Sequence, residues 1–82
     1  MAKLLKTDGS VTEVAPAKGK KFTLAEAQAM VGGYVEMVRL RKGFLLVDEE
    51  GLLKGKTLNM AASGMAGLDL VGDVLICTAG EF

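Results

Sequence analysis

One hairpin in the middle of the chain is apolar on both of its faces, and this constrains the fold more than any other feature. Two runs rich in strand-forming residues, Tyr34 to Leu40 and Phe44 to Val47, flank the turn Arg41-Lys42-Gly43. Because side chains alternate between the two faces of a strand, both faces of this hairpin must be covered, either by the rest of the chain or by a partner subunit. The apolar residues are Val35, Met37, Val38, Leu40, Phe44, Leu45, Leu46 and Val47.

The chain is short for the apolar surface that it carries. Of its 82 residues, 50% are apolar, and a domain of this size buries only about 60–65% of the surface that its unfolded chain exposes. We predict a single domain over residues 1–82, with too small a core to hide every apolar side chain. We therefore expect a homodimer or a higher homo-oligomer, with an adaptable contact built on Met30, Met37, Met60 and Met65.

The residue types that are missing exclude most catalytic sites. The chain has no histidine, so it has no imidazole base and no histidine metal ligand, and its single cysteine cannot form an internal disulfide. Cys77 lies in the apolar run Val74 to Thr78, which favours a buried structural thiol over a nucleophile. We predict that the protein is not an enzyme and has no cofactor.

The charges balance overall but are unevenly distributed. Ten basic and ten acidic residues give zero net charge, which argues against a nucleic-acid-binding protein. Residues 1–42 carry eight basic and four acidic residues, whereas residues 43–82 carry two basic and six acidic residues. This division favours ion pairs within the domain or a dipolar surface that attracts a subunit or an anion. We find no signal peptide and no membrane-spanning apolar run, and we expect a cytoplasmic protein.

The predicted order of elements is β-β-α-β-β-α-β, which indicates an α+β domain with a mainly antiparallel sheet and two short helices. The first hairpin pairs Leu4-Leu5 with Val11 to Val14, and Asp8-Gly9 between them predicts a tight primed turn. The last strand is predicted over Asp73 to Thr78.

Both helices carry start signals. Thr23 and Glu26 form a capping box for a helix over residues 24–31, and Gly32-Gly33 provides its end. Asn59 can cap a second helix that runs to about Leu68, although two glycines lower its intrinsic helix propensity.

Two groups of basic residues are candidates for binding a small anion. Lys54 and Lys56 precede the second helix, where Asn59 and the first helix amides could help to hold a phosphate or a carboxylate. Arg39, Arg41 and Lys42, with Lys18, Lys20 and Lys21, could form one basic face, and a solvated hairpin tip is the alternative. Arg39 and Arg41 are two residues apart, which on a strand would direct them to one side and suit a bidentate contact. Tyr34 could stack on a base. The predicted ligand-binding residues are Arg39, Arg41, Lys54, Lys56, Asn59 and Tyr34.

Three consecutive acidic residues, Asp48, Glu49 and Glu50, raise the possibility of a divalent metal. An EF-hand loop alternates its ligands and requires a distal glutamate, and neither feature is present. We therefore predict a solvated turn at this position and no metal site.

Three blocks of sequence occur together between residues 28 and 75. They are Gln28 to Val38, then Asp48 to Gly55 with Leu58-Asn59 and Ala62-Ser63, and finally Val71 to Leu75. The first block resembles the core Q-x-x-V-G-G-Y-x-E-x-V of a small family found in bacteriophages, plasmids and bacterial genomes, and the others resemble its second block and its closing V-G-D strand. The N-terminal hairpin lies outside this resemblance. The occurrence of the family in phages and plasmids implies a mobile-element setting. Because the family is a domain of unknown function, the resemblance implies no known activity.

Two classes of function are consistent with these features. The first is a non-enzymatic, oligomeric accessory protein of a phage or mobile element that binds a small anionic, nucleotide-like ligand. Its binding is expected to be lost in Arg39→Ala or Lys54→Ala. The second is a protein-interaction module that docks on a host or phage protein through a hairpin edge or an apolar patch. Its binding is expected to depend on exposed apolar residues.

Overall fold

A computed structural model describes residues 2–82, and the five strands in that range form one sheet. The elements are β1 (Ala2–Leu5), β2 (Val11–Val14), α1 (Leu24–Val31), β3 (Val35–Arg39), β4 (Phe44–Asp48), α2 (Met60–Ala66) and β5 (Val74–Cys77). The strands lie in the order β2-β1-β5-β4-β3, and each neighbouring pair is antiparallel. The predicted α+β class and the order β-β-α-β-β-α-β are therefore confirmed.

The first hairpin forms as predicted, but its turn is not the predicted primed turn. Strands β1 and β2 are joined by five residues, and the Gly9 N–H donates to the Lys6 carbonyl at 3.0 Å. Gly9 has a φ of 91°. Within residues 2–82 only glycines have a positive φ, so Asp8 does not have one. A type I′ turn requires positive φ at both central residues. Asp8 instead accepts a hydrogen bond from the Ser10 N–H at 2.8 Å, which closes a longer loop.

The second hairpin has slightly different limits from the predicted ones. Strand β3 ends at Arg39, so Arg41 lies in the turn rather than in the strand. The expectation that Arg39 and Arg41 share one side of a strand is therefore wrong. Strand β4 extends one residue further than predicted, to Asp48, which pairs with Val35 at the beginning of β3.

Helix α1 has the predicted limits and caps. The Thr23 side chain accepts from the Glu26 N–H at 3.1 Å, and the Glu26 carboxylate accepts from the Thr23 N–H at 2.8 Å. Gly32 ends the helix in the left-handed conformation, with a φ of 83°. The capping box and the glycine therefore set the two ends of α1 by local contacts, as the sequence predicts.

Helix α2 begins after its predicted cap, Asn59, but ends earlier than predicted. It stops at Ala66 because Gly67 adopts the left-handed conformation, with a φ of 72°, and its N–H donates to the Ser63 carbonyl. Leu68 consequently lies beyond the helix. Neither helix within residues 2–82 has the length and apolar character that crossing a membrane requires.

The sheet packs on both faces, with α1 on one face and α2 on the other. All five residues of β4 are buried, so its two faces are covered within one chain. Of the two alternatives for this hairpin, coverage by the rest of the chain is the one observed at β4. The homo-oligomer stays a prediction that needs support from other surfaces. One core cluster contains Ala2, Phe22, Ala27, Val31, Phe44, Leu46, Leu75 and Cys77, and the other contains Leu5, Leu45, Val47, Ala62, Leu70 and Val74.

Candidate functional site

A buried aspartate and two lysines form a connected polar cluster at the end of β4. The Asp48 side chain has no exposed surface, and its Oδ2 accepts from Lys54 Nζ at 3.0 Å and from Lys56 Nζ at 2.7 Å. Its Oδ1 accepts from the Glu50 N–H at 2.9 Å. Burial opposes ionisation, but the hydrogen bonds from Lys56, Lys54 and Glu50 outweigh it and hold the pKa of Asp48 at about 2. The solvated turn predicted for Asp48 is therefore wrong.

The same two lysines bind the C-terminal end of α1. Lys54 Nζ donates to the Gly32 carbonyl at 3.1 Å, and Lys56 Nζ donates to the Val31 carbonyl at 2.8 Å. Positive groups are stabilising at this end of a helix, where the last carbonyls lack partners. Both lysines therefore have partners within the chain, and their charge is offset by Asp48 and by the helix end.

Gly33 allows this cluster to form. A Cβ on Gly33 would lie 2.5 Å from Lys54 Nζ and 2.8 Å from both carboxylate oxygens of Asp48. The sequence predicts the glycine pair as a helix end, and both glycines serve it: the Gly32 and Gly33 N–H groups donate to the Gln28 carbonyl at 2.8 and 3.1 Å. A side chain at position 33 would displace Lys54 or the buried Asp48 carboxylate, so glycine suits this position as well.

Asn59, another predicted ligand-binding residue, lies in the core. Its side chain is fully buried, and its Oδ1 accepts from the Ala62 N–H at 3.1 Å. Its Nδ2 donates to the Leu5 and Gly72 carbonyls, each at 2.9 Å. Asn59 thus joins β1, α2 and the segment before β5, and it offers no exposed atom to a ligand.

The segment from Glu49 to Gly55, which we call the leucine loop, is ordered by this cluster and by its own backbone. The Lys54 N–H donates to the Glu50 carbonyl and the Lys56 N–H to the Gly51 carbonyl, each at 3.0 Å. At its tip Leu52 and Leu53 are 78% and 87% exposed. Sequence reasoning did not single out these leucines, although two adjacent leucines in a polar turn are a visible signal.

The turn of the second hairpin forms one edge of a shallow groove, which we call the basic groove. Arg39, Arg41 and Lys42 are exposed, and within residues 2–82 none of these three side chains makes an ion pair or hydrogen bond. Residues of β3, β5 and α2 and of the turn line the groove together. The apolar lining residues are Leu40, Met65, Ala66 and Ile76, and the basic ones are Arg39, Arg41 and Lys42.

The six predicted ligand-binding residues therefore do not converge on one site. Arg39 and Arg41 lie at the basic groove, and Lys54 and Lys56 lie at the buried aspartate. Tyr34 is 67% exposed and precedes β3, so the whole strand separates it from the arginine turn. Asn59, the sixth of these residues, is buried in the core.

Cys77 is a buried thiol, as predicted. Desolvation raises its pKa to about 11, and the charge of Glu81 adds to this effect. A thiol in this state is a poor nucleophile at neutral pH. Between residues 2 and 82 no group of three or more cysteine, aspartate or glutamate side chains is arranged to hold a metal ion.

A mainly structural polar cluster, an exposed leucine loop and a basic groove on an antiparallel α+β fold characterise this chain. The chain belongs to the family described as a domain of unknown function, DUF3846, whose family model matches residues 3–82. The match extends beyond the three blocks that carry the resemblance and includes the N-terminal hairpin. Comparisons with curated proteins and with solved structures gave no match.

Proposed function

We propose that this protein is a non-enzymatic interaction module that binds another protein molecule through its leucine loop. The observation that carries this proposal is the exposure of two adjacent large apolar side chains, Leu52 and Leu53, at the tip of an ordered loop. Single exposed leucines are common on protein surfaces, whereas two adjacent ones form a small contiguous apolar patch of the kind that marks interaction sites.

The construction of the loop supports this function. The base of the leucine loop is joined to the end of α1 by Lys54 and Lys56, through the buried Asp48 carboxylate. A loop that is ordered before binding loses less conformational entropy when it docks, so more of the contact energy contributes to affinity. Burying the Asp48 charge is costly, and the order that it gives to the exposed apolar loop is a reason for that cost.

The biological setting is a further part of the proposal. The resemblance of residues 28–75 to a family of phages, plasmids and bacterial genomes supports an accessory protein of a mobile element, acting in the cytoplasm. The buried thiol of Cys77 and the absence of histidine from the sequence support a role without catalysis.

Site-directed photo-crosslinking in the cells that carry the gene tests this function. A photoreactive residue at position 52 is expected to give a covalent adduct with a protein, whereas the same residue at Val11, which is 54% exposed on β2, is not. The adduct at position 52 is expected to disappear in the Leu53→Ser background. Equal labelling at the two positions, or no adduct at position 52, would contradict the proposal.

Binding of a small anion is the second candidate function, and it is favoured at the basic groove. The guanidinium groups of Arg39 and Arg41 are exposed there and have no charged partner within residues 2–82. Such groups can hold a phosphate by paired hydrogen bonds. Calorimetric titration with ATP as the probe is expected to show binding that Arg41→Ala removes and that Lys20→Ala retains. Binding that survives Arg41→Ala, or no heat with the wild type, would eliminate this candidate.

A further inference from the structure

We propose that the leucine loop docks into the basic groove of a second copy of this chain, so that two chains form a symmetric dimer with two identical contacts. This inference rests on the proposed function, because it identifies the partner of the leucine loop. Three properties of the chain support it: the chemistry of the loop, the chemistry of the groove, and their positions on the sheet.

The leucine loop presents apolar and acidic groups, because its basic residue, Lys54, is paired with Asp48. Leu52 and Leu53 form its tip, and the exposed Glu49 and Glu50 precede them. A matching receptor surface therefore needs an apolar floor for the leucines and basic residues at its edge for the glutamates.

The basic groove has this composition. Leu40, Met65 and Ile76 supply apolar surface, and the methionine thioether adapts easily to the shape of a partner. Arg41 and Lys42 supply exposed positive charge at the edge. The loop and the groove are thus complementary in both apolar character and charge.

A single chain cannot make this contact with itself. The arginine turn precedes β4 and the leucine loop follows it, so the five residues of β4, at about 3.3 Å each, separate the two surfaces. The charge distribution of the sequence agrees with this separation, because the basic groove's turn lies in the basic part before residue 43 and the leucine loop lies in the acidic part after it.

A two-fold axis beside β3 solves the geometry. Strand β3 is at the edge of the sheet and, among residues 2–82, pairs with β4 alone, so this edge is open to a second copy. When two β3 edges approach each other antiparallel, the loop end of each hairpin lies beside the turn end of the other. Leu52, near Val38 and Leu68, is on the α2 side of the sheet, and so is Met65 in the basic groove. An axis perpendicular to the sheet keeps these sides together, which makes the two contacts reciprocal.

Charge-reversal variants of the full chain test this dimer by sedimentation velocity over a range of protein concentrations. The wild type is expected to sediment as a dimer. Glu49→Lys with Glu50→Lys is expected to be monomeric, and so is Arg41→Glu with Lys42→Glu, because like charges then face each other. An equimolar mixture of the two variants is expected to form a heterodimer, since both of its contacts are again complementary.

Two further variants serve as controls. Lys18→Glu with Lys20→Glu changes the charge by the same amount as the groove variant at exposed positions before α1, and it is expected to remain dimeric. Leu52→Ser with Leu53→Ser is expected to be monomeric without any change of charge. Because all these residues are exposed, every variant is expected to keep the circular dichroism spectrum of the wild type.

The outcomes separate this inference from the proposed function. A wild-type monomer at every concentration, a dimer that survives both charge reversals, or a mixture that stays monomeric would overturn the dimer. If position 52 nevertheless crosslinks to a different protein, the leucine loop keeps its proposed function with another partner. If no adduct forms at position 52 and the wild type is monomeric, both proposals fail.

Discussion

Lys56 Nζ lies 2.7 Å from Oδ2 of Asp48 and at the same time donates to the Val31 carbonyl at 2.8 Å. One ammonium group therefore joins the end of β4 to the end of α1. Lys54 makes the equivalent pair of contacts, with Asp48 and with the Gly32 carbonyl. These contacts attach the leucine loop to β4, the most buried strand of the sheet. The stability of this attachment should depend on the Asp48 carboxylate.

Replacement of Asp48 by asparagine should destabilise the fold measurably. The substitution leaves two ammonium groups without their counter-ion, and we expect the free energy of unfolding to fall by about 2–3 kcal/mol. Urea unfolding of the variant gives this value directly. Asp69→Asn is a matched control, because Asp69 is exposed, and its unfolding midpoint should be close to that of the wild type. Equal stability of Asp48→Asn and the wild type would contradict the structural role of the cluster.

The pH dependence of stability should reveal the same carboxylate. The pKa of Asp48 falls from 3.8, its ordinary value, to about 2 in the folded chain. Its contribution is therefore fully present above the unfolded-state pKa and is lost as the pH falls toward the folded-state pKa. We expect the difference in unfolding free energy between the wild type and Asp48→Asn to be constant near pH 7 and to shrink below pH about 4.

That difference is the quantity to measure, because other carboxyls contribute to the total pH dependence. The pKa values of Asp8, Glu26 and Glu81 are also lowered, mainly by hydrogen bonds that stabilise their ionised forms. These groups are present in both proteins and cancel in the comparison. A difference that stays constant from pH 7 to the acid limit would show that Asp48 keeps its ordinary pKa.

Two glycine-to-alanine substitutions should have opposite effects. Gly33→Ala places a methyl group against Lys54 and Asp48, and we expect a loss of about 1–3 kcal/mol. Gly64 lies inside α2 with open space around it, so Gly64→Ala should stabilise the fold by about 0.5–1 kcal/mol. Thermal unfolding of the two variants beside the wild type measures both effects. A neutral Gly33→Ala would mean that the cluster can move aside without cost.

The local signals in the sequence predicted most of the fold. The capping box of Thr23 and Glu26, the cap of Asn59 and the apolar runs act over a few residues, so they fix the element order and the limits of α1. The turn at Asp8-Gly9 differs because an Asp-Gly pair is compatible with several loop lengths. Helix α2 ends early because Gly67, within the predicted range, adopts a conformation that stops the helix.

The candidate site was much less predictable, because it depends on contacts between residues that are distant in the chain. Lys54 and Lys56 look available for a ligand until the fold brings them against the end of α1, which lies 22 and 25 residues earlier in the chain, and against the buried Asp48. The sequence around Asn59 indicates a helix cap, but it does not indicate whether the side-chain amide faces solvent or the core. Exposure of Leu52 and Leu53 is likewise decided by the loop's orientation, which no local pattern specifies.

Asn59 should be one of the most sensitive positions in the chain, and its two kinds of hydrogen bond can be separated. Asn59→Ala removes the cap of α2 and two buried donors, so we expect a loss of about 2–4 kcal/mol. Asn59→Asp keeps the acceptor for the Ala62 N–H but faces the Leu5 and Gly72 carbonyls with oxygen instead of an amide. It should therefore be nearly as unstable as Asn59→Ala at neutral pH. Urea unfolding measures both, beside Thr23→Ala at the exposed cap of α1, which should lose only about 1 kcal/mol. If Asn59→Asp were as stable as the wild type, the cap alone would account for Asn59, and the links to β1 and to the segment before β5 would contribute little.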